Sequence, residues 1–194
     1  MKYRTAFALV AATLVAGCGI NSVPTAEENA KARWADVQND YQRRADLIPN
    51  LVATVKAAGA QEKSILVEVT QARASASQVH VSAADLTDPT KVQAFEQAQA
   101  GVTLSLQRLQ EAYPELQSQQ GYKTLQSQLE GTENRITISR RDYNAAVQAY
   151  NTRIRTFPDA IGAKIFYGAK PMAPFAATTP GADTAPKVDF GNSN

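Results

Sequence analysis

The sequence predicts an all-α fold: an antiparallel up-and-down bundle of long helices, of the four-helix type, ending in a disordered C-terminal tail. Three observations predict it. Between Leu125 and Pro158 the apolar residues Leu125, Leu129, Ile136, Tyr143, Val147, Tyr150, Ile154 and Phe157 recur at gaps of three, four and seven. That spacing places them on one stripe of a helix. The same spacing returns upstream in Trp34, Val37, Tyr41, Ile48, Val52 and Val55, and again in Val92, Phe95, Val102, Leu106, Leu109 and Tyr113. Turn signals at HVSAADLTDPT (80–90) and at Pro114 separate these stretches. A stripe of such length cannot bury itself, so the helices must serve as one another's partners.

The chain opens with a basic n-region, Lys2 and Arg4, and a short apolar run from Ala6 to Ala16. That run falls short of the ~20 residues of a membrane-spanning helix but suits a secretory signal peptide. Val15-Ala16-Gly17-Cys18 has the form of a lipobox, and Cys18 is the only cysteine in the chain. Residues 1–17 are therefore expected to be a lipoprotein signal peptide, with lipidation at Cys18. Gly19, in place of an Asp, favours the outer membrane in a diderm host. Those seventeen residues hold two of the 20 Lys+Arg and none of the 18 Asp+Glu, so the mature chain carries 18 of each. A neutral chain lacks the clustered basic excess of a nucleic-acid binder. One cysteine permits no intramolecular disulfide, which leaves stability to apolar packing.

Residues 18–25 are expected to be a tether, and 26–167 the bundle. Thr25, with Glu28 three residues on, suggests an N-cap and capping box for a helix starting near Ala26. Asp36, Asp40, Arg43 and Arg44 decorate that helix, and Asp40 with Arg44 makes an i,i+4 pair. Pro49 calls for a kink or a boundary. The apolar phase continues through Ile65, Val69, Ala72, Ala76 and Val79, which fits either one long kinked helix or two antiparallel helices reversing near Gly59. Asp88 or Thr87 can cap the next helix, with Pro89 in its first turn. After Pro158, Asp159–Tyr167 can form one short amphipathic turn. From Gly168 onward Pro, Ala, Thr and Gly dominate, so 168–194 is expected to be a flexible tail.

No constellation in the sequence supplies an enzyme, and no cofactor or metal site is expected. His80 is the only histidine, which excludes centres built on several His ligands; a Ser-His-Asp triad would have to use it, with no Gly-x-Ser-x-Gly elbow to present a nucleophile. Gly162-Ala163-Lys164 and Gly168-Ala169-Lys170 lack the frame of a phosphate-binding loop. Glu130 and Glu133 fit a solvated helix face. Arg135, Arg140, Arg141, Arg153 and Arg155 fit either an anion-binding ridge or a salt-bridged surface opposite Asp36, Asp40 and Asp46. Asn134, Asn144 and Asn151 lie beside the core stripe, where amides in a bundle fix helix register.

Two stretches resemble the signature of the LemA family: Tyr41-Gln-Arg-Arg-Ala-Asp-Leu-Ile-Pro-Asn-Leu-Val52, with Trp34 before it, and Glu130-Gly-Thr-Glu-Asn-Arg-Ile136 continuing through Arg140-Arg-Asp-Tyr-Asn144 and Tyr150-Asn-Thr-Arg-Ile-Arg-Thr-Phe-Pro158. Pro186-Lys-Val-Asp-Phe190 is similar to the family's C-terminal tag. The resemblance covers about Trp34 to Phe166. It implies an antiparallel helical bundle at a bacterial membrane, with no established enzymatic activity and no assigned catalytic residues. Many members begin with a transmembrane helix, whereas this chain shows a lipobox.

The expected function is that of a non-enzymatic, lipid-anchored scaffold or adaptor facing the periplasm. Its partners would be the membrane, through the lipid on Cys18, and other envelope proteins; a homo-oligomer is possible, and nucleic acid is not expected. A small-anion receptor or enzyme on the Arg/Glu ridge is the alternative, as is membrane shaping through residues 157–167. The candidate interaction surface is Phe157, Ile161, Lys164, Ile165, Phe166 and Tyr167. It can cap the bundle, or it can contact a partner or lipid headgroups.

Overall fold

The computed structural model describes residues 21–59 and 63–176. Among them there are five α-helices and no strand: α1 Ser22–Ala57, α2 Lys63–Gln78, α3 Pro89–Ala112, α4 Gln120–Arg153 and the short α5 Asp159–Gly162. Two 3₁₀ turns, Ala83–Thr87 and Pro114–Ser118, join α2 to α3 and α3 to α4, and a π-turn at Ala163–Tyr167 extends α5.

Helix α1 starts four residues earlier than its capping signals suggest. Val23 is fully buried, so packing draws Ser22–Thr25 out of the expected tether and into the helix. Pro24 falls in the first turn, where a missing N–H goes unused. Thr25 is not the cap; its hydroxyl donates to the Asn21 carbonyl at 2.7 Å. The helix also runs through Pro49 without a boundary. Proline removes the bond that the Ala45 carbonyl would accept. Arg73 of α2 fills the vacancy, its Nε donating to that carbonyl at 2.7 Å.

Near Gly59 the chain reverses, so two helices replace one long kinked one. Ala58 and Gly59 donate their N–H groups to Thr54 and Lys56, both at 3.1 Å. Gly59 adopts φ +86°, a conformation that a side chain would strain. Further along, Asp88 rather than Thr87 caps α3, accepting from Thr90 N at 3.0 Å, with Pro89 in the first turn.

Helices α1 and α4 pair antiparallel along their length. Trp34 meets Tyr143 with ring centroids 5.3 Å apart, Arg44 meets Glu133 at 3.0 Å, and Thr54 lies beside Gly121. Helices α2 and α3 form a second pair, spanned by the Arg108–Glu68 ion pair at 2.6 Å. Burial divides the core into two apolar clusters. One surrounds Trp34, Phe95, Ile136 and Tyr143; the other contains Ile48, Leu51, Val55, Leu66, Val69, Leu109 and Tyr122.

Arg44 corrects the sequence reading, which put it in solvent beside Asp40. It is 2% exposed. Its guanidinium donates to Thr103 Oγ1 at 2.8 Å, Glu133 at 3.0 Å, the Gln99 carbonyl at 3.0 Å and Gln99 Oε1 at 2.8 Å. It also lies 5.0 Å from the Tyr41 ring. One side chain thus ties α1 to both α3 and α4, and its charge is buried only because acceptors surround it.

Helix α4 begins at Gln120, ahead of Leu125, and ends at Arg153, short of Pro158. Phe157, placed on the core stripe by spacing, is instead 78% exposed. The expected tail from Gly168 also needs correction. Residues 168–176 lie along the bundle as an extended strap, with Met172, Ala173 and Phe175 buried in the Trp34 cluster. Cys18 and residues 177–194 lie outside the described residues.

Candidate functional site

The strap is held by α4 side chains that imitate a neighbouring strand. Asn151 accepts from Met172 N at 2.9 Å and donates to the Met172 carbonyl at 2.8 Å. One heptad earlier, Asn144 accepts from Phe175 N at 2.8 Å and donates to its carbonyl at 3.1 Å. Between these clamps Tyr143 OH donates to the Ala173 carbonyl at 2.9 Å, and Ala173 N donates to the Leu86 carbonyl at 2.8 Å. A side-chain amide can both donate and accept, so the N–H and C=O of Met172 and of Phe175 are paired without a strand. Two of the three asparagines expected to set helix register, Asn144 and Asn151, therefore bind a peptide segment of their own chain, while Asn134 is exposed.

Phe175 stacks on Trp34 at 5.6 Å and meets Tyr143 edge-on at 5.4 Å, while the Arg140 guanidinium lies 4.6 Å over its ring. Arg140 is paired with Glu96 of α3 and donates to the Ala176 carbonyl at 3.2 Å. Burial pushes the Tyr143 phenol far above its ordinary value of 10, which keeps it a donor. The stability carried by that neutral phenol is complete below pH 10 and is withdrawn as pH rises beyond it. The alkaline limb of a Tm–pH profile should accordingly be shallower in Tyr143→Phe than in the parent.

The turn that receives the strap is itself stabilised electrostatically. Asp85 is paired with Lys91 and accepts from Ser82 N at 2.9 Å and Ser82 Oγ at 2.6 Å. Lys91 first, and then Ser82, bring the Asp85 carboxyl down to about 2.

The residues predicted as an interaction surface come together at one end of the bundle, after α4. There Phe157, Ile161, Lys164, Ile165, Phe166 and Tyr167 are all exposed, at 78, 53, 69, 67 and 42% for the five apolar and aromatic side chains in order. The inward contact is made by small residues, with Ala163 buried and Ala160 half-buried, while the space beside Gly162 is open. Gly168, at φ +54°, ends the π-turn, and Ala169 N closes it on the Ala163 carbonyl at 3.0 Å. α5 rests against α1, and Ala163 shares a cluster with Val23 and Ala30.

The arginines of α4 and of the turn after it do not converge. Arg140 pairs with Glu96, Arg141 with Asp142 at 3.4 Å and Arg153 with Asp159 at 3.5 Å; Arg135 and Arg155 are exposed. Their partners are not the α1 aspartates. Glu133 meets Arg44, whereas Glu130 accepts from Gln126 at 3.1 Å. A cleft of about 130 Å³ between α1, α2 and α3 has Arg44, Arg73, His80, Gln38 and Gln99 on its walls. The sequence pointed to neither this cleft nor the strap, although Met172 and Phe175, three apart within a Pro-rich run, were a visible signal.

No described helix is long and apolar enough to cross a membrane. No match was found among curated proteins. The family model for LemA matches residues 33–190, most of the chain, and spans the Trp34 cluster, the Arg44 junction and the strap alike. The chain belongs to the LemA family.

Proposed function

We propose that this LemA-family protein is a non-enzymatic, lipid-anchored adaptor of the cell envelope. Cys18 carries the lipid, and the four long helices form an up-and-down bundle facing the periplasm. Phe157, Ile161, Lys164, Ile165, Phe166 and Tyr167 are its contact surface, engaged with an envelope protein or with lipid headgroups. One observation carries this reading: large apolar side chains are exposed together on an otherwise well-packed helical protein. Such clusters mark interaction sites.

Cys18→Ser tests the anchor and should leave the protein unprocessed or released from membranes. Ile165→Ser with Phe166→Ser tests the surface. That pair should hold Tm within about 2 °C, because the side chains bury little, while abolishing photo-crosslinks formed from position 161 in cells. A large fall in Tm would assign the segment to the core, and unchanged crosslinks would remove its contact role.

A further inference from the structure

We infer that the exposed end of the bundle is a wedge for the lipid bilayer, with Phe157, Ile161, Ile165 and Phe166 entering the interfacial layer and Arg155, Lys164 and Lys170 meeting lipid phosphates. This rests on the lipidation of Cys18 proposed above and commits the contact surface to lipid rather than protein.

The segment is built inside out for a cap. A helix that closes a core turns its large apolar residues inward. Here Ala163 is buried and Ala160 half-buried, whereas Phe157, Ile161, Ile165 and Phe166 are exposed. The three nearby cations are exposed among them. Apolar side chains edged with Lys and Arg are the composition that binds at a phospholipid interface.

Chain length then selects the occupant. α5 and the π-turn pack beside the first turns of α1, whose start follows Asn21. Two residues, Gly19 and Ile20, separate Cys18 from Asn21, so the three chain steps between them reach no more than about 10 Å at ~3.5 Å per step. Acyl chains on Cys18 would therefore enter the bilayer no more than about 10 Å from Asn21, at the end of α1 against which α5 packs. Confined there, even a weakly membrane-binding surface meets lipid at high effective concentration.

The wedge sets orientation, since the acyl chains already supply attachment. α1 has 36 residues and is about 54 Å long at 1.5 Å per residue. On a two-residue link such a rod would swing freely. With a second contact at the same end it stands off the membrane, and the Pro114–Ser118 turn lies far from the lipid.

Acylation would consume the single native thiol, so Ile165→Cys, Ile161→Cys and Gln119→Cys would each offer one site for a nitroxide label. The acylated, processed protein is placed in vesicles of phosphatidylethanolamine and phosphatidylglycerol. Collisions with oxygen and with a water-soluble nickel chelate are then compared. Labels at 165 and 161 should be shielded from nickel and open to oxygen, with the label at 119 fully aqueous. Ile165→Ser with Phe166→Ser should return the label at 161 to water. An acylated protein whose label at 165 is as nickel-accessible as that at 119 would overturn the wedge alone. Shielding in native membranes but not in pure lipid would overturn it in favour of a protein partner. Mass spectrometry showing an unmodified Cys18 would instead overturn the anchor.

Discussion

Ile136→Asp should eliminate cooperative thermal unfolding, whereas Ile138→Asp, two residues away on the same helix, should melt almost like the parent. Ile136 is 2% exposed and belongs to the Trp34 cluster; Ile138 is 50% exposed. A carboxylate placed at 136 has no partner among the apolar side chains around it. It must either ionise without solvent or fold protonated, and the loss is about 4 kcal/mol or more. That is a large part of the 5–15 kcal/mol that holds a typical domain together. At 138 the same group stays in water, and the change should remain within about 0.5 kcal/mol. Thermal melts followed by circular dichroism decide it, and equal transitions in the two variants would mean that the stripe faces solvent.

Truncating the strap should be nearly as damaging. Phe175→Ala removes a ring that touches Trp34 and Tyr143 and lies under Arg140. Large-to-small changes at buried aromatic sites cost about 3–5 kcal/mol. In a chain of this size each kcal/mol lowers Tm by roughly 2–4 °C, so a fall of about 10 °C is expected. Asn144→Ala should cost less, about 1–2 kcal/mol, because water can reach the backbone groups it releases. The two losses should be non-additive when combined, since Asn144 acts by holding Phe175 in place. A Phe175→Ala protein melting with the parent would show that residues 168–176 are dispensable.

The two predictions draw on parts of the chain that differed in legibility. Ile136 lay on an unbroken stripe, and the helices, their apolar faces and the Asp88 cap followed from period and local hydrogen bonding. Phe175 lay in a Pro-rich stretch with no period, so composition placed it in a tail. Its burial depends on Asn144 and Asn151, remote in sequence, whose amides stand in for a strand. Arg44 was misplaced for a related reason. Helical spacing offered Asp40 as its partner, while the acceptors that bury it come from α3 and α4.

The candidate surface divides in the same way. The sequence located its residues, because aromatic and aliphatic side chains crowd between Phe157 and Tyr167. Whether they pointed inward or outward was beyond periodicity, which had assigned Phe157 to the core. Three-dimensional packing decided that: Ala163 is buried in the cluster that holds Val23 and Ala30, while the larger side chains around it stay exposed.

What the sequence alone determined is the repertoire: helix-forming stripes, capped breaks, and a lone cysteine behind a small-residue site. These are local properties, written within a few turns of chain. What the tertiary structure decided is the set of choices whose terms come from distant residues. The chain reverses at Gly59, α1 continues through Pro49 because Arg73 takes up the orphaned carbonyl, Arg44 goes inside, and the strap is drawn into the core. The reversal lets α2 pack against α3, and each of the others depends on a donor, an acceptor or a cavity that a remote segment provides; no local pattern encodes that.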